Sequence, residues 1–413
     1  MDPTSPLLPD PRALALGDTH NFGRCVSRRG DRISKPRPVT WEQVLLDAAS
    51  PLRLLLDEVA RRGGAADAFA FLPDLKFHPS ESGPGGEVDA IQLEPLGTLS
   101  GEQTAELARI TGRSLALWSW LGVTDLHWEN LVLGRDARGQ MIFSPVDIES
   151  LFDDLSMPTE TKLLPDADPE YAAVSQHAAG VRRVLPYLGK PVSASSLLAM
   201  AAAYGATLAL LDRHAAEIAR IFRSIDGLDA VPIRVCLRGT GTYVYAKTDV
   251  QAQVEPLWPP LLDAEREQLD RGDIPYFFRL YGRPGIHYYA EESLATFETL
   301  PLEGDVPQLE PLLDIDAGLA SPNRRSLREQ GLFALLAAFD APSLTGVHRE
   351  GELDVEFTAD EIVVGLPSGD ELGCDRDLGD FVASVYLPCR CGEVRSVFVP
   401  AVTTCDGSWG DDL

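Results

Sequence analysis

The stretch Thr124-Asp125-Leu126-His127-Trp128-Glu129-Asn130, followed downstream by Val146-Asp147-Ile148-Glu149, decides the reading of this chain. An Asp, four residues, an Asn and a later strand-borne Asp is the spacing with which a kinase orients an acceptor hydroxyl and holds magnesium. Immediately upstream, Ser100 reads as an N-cap with Glu102 and Gln103 in the first turn. Leu107, Ile110, Leu115 and Leu117 then predict a buried helix to about Leu121, ended by Gly122. Downstream, Leu131-Val132-Leu133 and Met141-Ile142-Phe143 predict a hairpin through Asp136-Ala137-Arg138-Gly139, which delivers Asp147 just past a strand end.

Further out, residues 14 to 40 alternate short apolar and basic stretches around Gly17, Gly23 and Gly30. Cys25-Val26-Ser27 and Arg32-Ile33-Ser34-Lys35 read as paired strands that carry a lysine. Trp41 to Arg62 has helical spacing interrupted by Pro51, which predicts one bent helix or two short ones. Phe69 to Leu72 and Ala90 to Leu93 are expected to be strands flanking the Pro- and Gly-rich loop 79 to 86. Ala172 to about Ile225 reads as helical, with no site residue standing out. Arg234 to Ala246 reads as β-like, Leu261 to Asp270 as a helix, Gly272 to Phe277 as a loop, and 346 to 401 as strands.

Phosphoryl transfer is mostly positioning and charge neutralisation, so a minimal site needs a cation, magnesium ligands and an acid that takes the hydroxyl proton. Lys35 is the candidate phosphate-binding cation, Asp125 the candidate base, and Asn130 and Asp147 the candidate Mg²⁺ ligands for ATP. A lone lysine or a lone Asp-x-x-x-x-Asn would be an ordinary surface feature, and only the ordered set points to a site. His127 tunes the acid, assists proton transfer or caps the loop; Glu149 binds metal beside Asp147 or forms a salt bridge. Asp18 and His20 form a two-residue acid-histidine pair, a weak ligand signal. Gly17-Asp18-Thr19-His20-Asn21-Phe22-Gly23 is not G-x-G-x-x-G, so any phosphate cradle differs from that of protein kinases.

With 413 residues, 45% hydrophobic, the chain can bury a sizeable core, and a formal charge of -27 argues against nucleic acid as a partner. A cationic peptide segment suits that surface better, although solubility alone accounts for it. No secretory signal and no membrane span is expected, which places the protein in the cytoplasm. Six cysteines are too sparse for a disulfide scaffold. Cys374, Cys389, Cys391 and Cys405 lack Cys-x-x-Cys knuckles, so ordinary thiols are favoured over a zinc site.

Taken together, six motifs in one order over about residues 17 to 340 resemble the dehydratase portion of class II lanthipeptide synthetases, the LanM family. They are Gly17 to His20 with Gly23-Arg24, Ser34-Lys35-Pro36-Arg37, Thr124 to Asn130, and Asp147 to Leu151. Arg238-Gly239-Thr240-Gly241-Thr242-Tyr243 and Gly272-Asp273-Ile274-Pro275-Tyr276-Phe277 complete the set. The resemblance implies an α+β, lipid-kinase-like two-lobed fold with an added activation and elimination subdomain. On that reading residues 1–100 form the N-lobe, 101–230 the C-lobe, 231–345 the added subdomain and 346–413 a β-rich region.

It also implies that ATP phosphorylates Ser or Thr of a ribosomally made precursor peptide, and that phosphate is then eliminated to give dehydroamino acids. Lys35, Asp125, Asn130 and Asp147 would serve phosphorylation, with Arg37 beside the nucleotide, and Arg238 elimination with Thr240 and Tyr243 in support; Asp18, His20 and His127 are further candidate catalytic residues. The family's long helical region before the first motif and its cyclase are not expected here, and Ser34 stands where the family has Tyr. Ring closure would then fall to a separate cyclase. A kinase that stops at phosphate transfer, to a peptide or a small molecule, and a non-catalytic binding protein are the competing readings.

Overall fold

The computed structural model describes residues 14–80, 85–165, 179–189, 192–248, 261–301, 323–339, 344–351, 353–358, 361–365, 371–375, 383–388 and 394–399. In chain order they form β1 (Leu14–His20), β2 (Arg24–Arg29), β3 (Arg32–Lys35), α1 (Thr40–Leu46), α2 (Pro51–Arg62), β4 (Phe77–Pro79) and β5 (Gly86–Asp89). Then come α3 (Gly101–Trp120), β6 (Leu131–Arg135), β7 (Met141–Pro145), α4 (Leu185–Leu188), α5 (Ala194–Arg213), α6 (Ala215–Arg223), β8 (Ile233–Val235), α7 (Thr240–Thr248) and α8 (Asp263–Asp270). They end with β9 (Phe277–Leu280), β10 (Arg283–Tyr289), β11 (Phe297–Thr299), α9 (Asn323–Ala338) and six strands, β12 (Gly346–Glu350), β13 (Leu353–Phe357), β14 (Glu361–Gly365), β15 (Glu371–Asp375), β16 (Ala383–Pro388) and β17 (Val394–Val399). The class is mixed α+β.

The chain divides into two units. One comprises Met1–Ser50, Asp74–Gln92 and Ile225–Leu313; the other Pro51–Pro73, Leu93–Ser224 and Asp314–Leu413. Each therefore draws on more than one of the four segments expected from sequence.

In the first unit β1, β2, β3, β5 and β4 lie side by side in that order. Gly17 adopts φ +88 where the β1–β2 register shifts between Leu16 and His20, a bulge that a residue with a Cβ resists. A second antiparallel sheet runs β11-β10-β9-β8. Val235, Ala264, Phe277, Ile286, Tyr288 and Leu300 form a core on it.

The second unit is built around α3 and α5. Ser100 is the N-cap of α3, as the sequence predicts, and Gln103 completes the cap reciprocally, side chain to backbone in both directions. A Cβ on Gly112 would stand 2.1 Å from the Met200 carbonyl oxygen, so glycine lets α3 approach α5 closely. Trp120 Nε1 donates to Asp212 Oδ1 at 2.8 Å, and Tyr204 OH donates to the Leu327 carbonyl at 2.7 Å, tying α3 and α9 to α5. Among the described residues, α5 alone is long and apolar enough to cross a membrane. No run of that kind is expected from the sequence, and 56% of the helix's 18-residue window is buried inside the protein.

Several expectations change. Phe69 to Leu72 is a run of tight turns, with Leu72 N donating to Phe69 O at 3.1 Å; the first of the two expected strands falls later, at β4, and the second earlier than Ala90 to Leu93, at β5. Arg234 to Ala246 is strand only to Val235 and then becomes α7. Trp41 to Arg62 is two helices, with Pro51 at the start of α2, where its missing N–H costs nothing. Cys374 lies on β15, while Cys389, Cys391 and Cys405 fall outside the described residues.

Candidate active site

In the second unit Gly122 turns the chain out of α3 at φ +63, and a Cβ there would stand 2.2 Å from the Asp153 carbonyl oxygen. Asp125 follows, itself left-handed at φ +63. A non-glycine residue held there costs roughly 1–2 kcal/mol, which the surrounding bonds must offset. Leu126 N donates to Thr161 O at 2.9 Å, and Asn130 Nδ2 donates to the Asp125 carbonyl at 2.9 Å. Asn130 N donates to His127 O, and Val146 N donates to Asn130 O, each at 3.0 Å. One asparagine thus grips the backbone of Asp125 on one side and the residue before Asp147 on the other.

The Asp125 side chain is 47% exposed, open to a substrate. His127 Nδ1 accepts from Glu129 N at 3.3 Å, so in the neutral ring the proton sits on Nε2, which lies 3.9 Å from Asp125 Oδ1. His127 therefore caps the short turn 128–130 and faces the candidate base. Asp147 and Glu149 are half-buried on the segment after β7.

Three neighbours were missed. A Cβ on Gly180 would stand 2.2 Å from Leu131 Cδ1 and 2.6 Å from the Leu126 carbonyl oxygen, so the loop rests on that glycine. Arg183 Nε donates to Trp128 O at 2.7 Å, and the guanidinium groups of Arg182 and Arg183 lie 5.3 and 5.2 Å from the Trp128 ring. They lie within the stretch read as site-free helix. Short-range patterns carry no trace of contacts made 55 residues apart.

In the first unit Lys35 ends β3 and is 4% exposed, with Nζ 2.5 Å from Oε1 of Glu42, a fully buried acid in the first turn of α1. Arg37 Nη2 and Nη1 reach Oε1 and Oε2 of the same carboxylate at 3.2 and 3.3 Å. One buried carboxylate thus holds both cations in place. The sequence reading named Lys35 and Arg37 but not Glu42. The only signal was an acid inside an otherwise apolar helix face.

Arg238 sends Nε to Glu265 Oε1 at 2.8 Å and Nη2 to Oε2 at 3.3 Å; Tyr243 OH donates to Oε1 at 2.7 Å and Leu262 N to Oε2 at 2.7 Å. Glu265 is fully buried. Burial, then the bond to Glu265, pushes the Tyr243 phenol far up, so it stays neutral. Thr240 begins α7. Asp18 is exposed on β1, while His20 Nδ1 lies 2.7 Å from Ile274 O and, facing a carbonyl, donates to it.

Among the described residues no group of three or more His, Cys, Asp and Glu side chains is arranged to hold a metal ion. Mg²⁺ needs fewer protein ligands where phosphate and water supply the rest. Asn130 and Asp147 fit that demand chemically: both offer hard oxygens, and the commitment of Asn130 Nδ2 to Asp125 turns Oδ1 to other use. No protein-family model matches the chain, and no curated protein matches it significantly.

Proposed function

We propose that this chain is an ATP- and Mg²⁺-dependent kinase and phosphate lyase that dehydrates Ser or Thr in a ribosomally made precursor peptide, within a lipid-kinase-like fold and in the cytoplasm. The observation that carries the reading is the double grip of Asn130 on Asp125 and on the backbone next to Asp147. Asp125 takes the hydroxyl proton as the hydroxyl oxygen attacks the γ-phosphorus and the bond to the ADP oxygen breaks. His127 orients that carboxylate. Lys35, fixed by Glu42, meets the nucleotide phosphates, as the paired lysine of a kinase does. Mg²⁺ held by Asn130 and Asp147, with Glu149 nearby in sequence, would neutralise charge on the phosphates.

In the second step a base removes the Cα proton, the Cβ–O bond breaks, and inorganic phosphate leaves a dehydroamino acid. Arg238 would neutralise the departing phosphate. The neutral Tyr243 phenol is unsuited as the base and instead holds Glu265.

One observation favours the second reading, a kinase that stops at the phosphopeptide: Arg238 already directs two nitrogens at Glu265. Mass spectrometry of a Ser- and Thr-containing candidate precursor peptide after incubation with ATP and Mg²⁺ separates the two. Loss of water supports the lyase, and a stable phosphopeptide supports the kinase alone. Arg238→Ala is expected to convert the first outcome into the second.

A further inference from the structure

The turn between β1 and β2 places three consecutive residues at positive φ, Asn21 at 47°, Phe22 at 69° and Gly23 at 75°. Successive backbone amides of a turn can converge on a concavity that binds anions. In a kinase such a turn would be the place for phosphate oxygens, yet here its occupant is internal. Phe22 N donates to Asp273 Oδ2 at 2.7 Å and Gly23 N donates to Oδ1 at 2.9 Å. Asp273 is fully buried.

The strand of contacts continues on both sides of that carboxylate. Ile274 N donates to Thr19 O at 2.8 Å, His20 Nδ1 donates to Ile274 O at 2.7 Å, and Thr19 Oγ1 donates to Gly272 O at 3.3 Å. The Arg271 guanidinium lies 4.1 Å from the Phe22 ring and 3.9 Å from Asp273 Oδ2. Gly272-Asp273-Ile274 is thus a splint along the β1–β2 turn.

Register shows which end of the sheet the splint serves. Ser27 pairs with Ser34 and Leu16 with Val26, so Lys35 stands level with Val26 and the turn extends beyond it at the same end. From this placement we propose that Asp273 is a positioning residue: it fills the anion nest of the turn, so the nucleotide phosphates rely on Lys35 and not on the Phe22 and Gly23 amides, and it fixes the turn as one wall of the ATP site. The proposal rests on the kinase reading above.

The test uses the full chain, isothermal titration of ATP with Mg²⁺, slow ATP hydrolysis without peptide, and hydrogen exchange at residues 20–24. Asp273→Asn replaces one acceptor oxygen by an N–H donor facing an N–H. It is expected to weaken ATP binding about tenfold, change hydrolysis at saturating ATP less than about twofold, and speed exchange at Phe22 and Gly23. Should that variant not fold, Arg271→Leu loosens the turn from the Phe22 side and is expected to weaken ATP binding about threefold. Formate added to Asp273→Ala is expected to restore part of the lost affinity.

Unchanged ATP affinity in folded Asp273→Asn, or in Arg271→Leu where the first does not fold, overturns the proposal while wild-type turnover leaves the kinase reading standing. A wild-type chain that neither binds nor hydrolyses ATP overturns both.

Discussion

Glu42 governs what Lys35 can do. A buried carboxylate that carries two cations holds the ammonium at the end of β3, and removing its charge takes that buried partner from both Lys35 and Arg37. Breaking a buried pair in this way costs about 3–5 kcal/mol. Glu42→Gln is therefore expected to lower the melting temperature sharply, whereas Lys35→Met, which leaves Arg37 on Glu42, should fold and lose phosphorylation by about 100-fold or more. Recovery of stability in the double variant, measured by chemical denaturation, checks the coupling. A second residue-scale expectation concerns His287, which is buried against Phe278 and Phe297 and hydrogen-bonded to Thr299. Burial first, then Arg283, lowers its pKa below the ordinary 6.5. The unfolded chain therefore takes the proton first as pH falls, so His287 contributes stability fully above about pH 6.5 and loses it toward the lowered folded value. Denaturation midpoints at pH ~7.5 and ~5.5 should differ less in His287→Phe than in the wild type.

At the scale of elements, what the sequence discloses depends on how local the cause is. The Ser100 cap, the 3.6-residue spacing of α3 and the Asp136 to Gly139 turn are written in neighbouring residues, and they read correctly. The segment Arg238 to Tyr243 carries glycines and β-branched residues that favour strand or loop, yet from Thr240 it is helical, and Tyr243 on it bonds a glutamate 22 positions away. Phe69 to Leu72 is apolar because every side of those turns faces the core or nearly so, not because one strand face does. Glycines were legible as punctuation but not as contacts. Gly122→Ala is expected to cost more than about 2 kcal/mol, since it demands a positive φ and collides with the Asp153 backbone; calorimetry reads this directly. Gly180→Ala, which pushes on the Leu126 carbonyl beneath the loop, should lower turnover about tenfold or more, because small displacements at a reacting group are costly.

For the whole molecule, the mixed α+β class and the ordered motif set follow from the sequence, while the division into two units, each made of separated segments, does not. Residues 225–313 join the unit that holds β1 to β5, a partnership no local pattern encodes. The charge of -27 belongs to this scale as well. A cationic peptide segment should bind more weakly as ionic strength rises, because charges more than about 8 Å apart are screened at physiological salt. Fluorescence anisotropy of a labelled cationic peptide at low and high salt checks that expectation. The central claim, that Asp125, Asn130 and Asp147 make a phosphoryl-transfer site, is tested most directly by mass spectrometry of a Ser- and Thr-containing candidate precursor peptide incubated with ATP and Mg²⁺. Wild-type chain is predicted to add phosphate and then eliminate it as inorganic phosphate, leaving the peptide lighter than at the start by one water, and Asp147→Ala to leave the peptide unchanged. A precursor that the wild type leaves unmodified, or one that Asp147→Ala modifies equally well, would contradict the account.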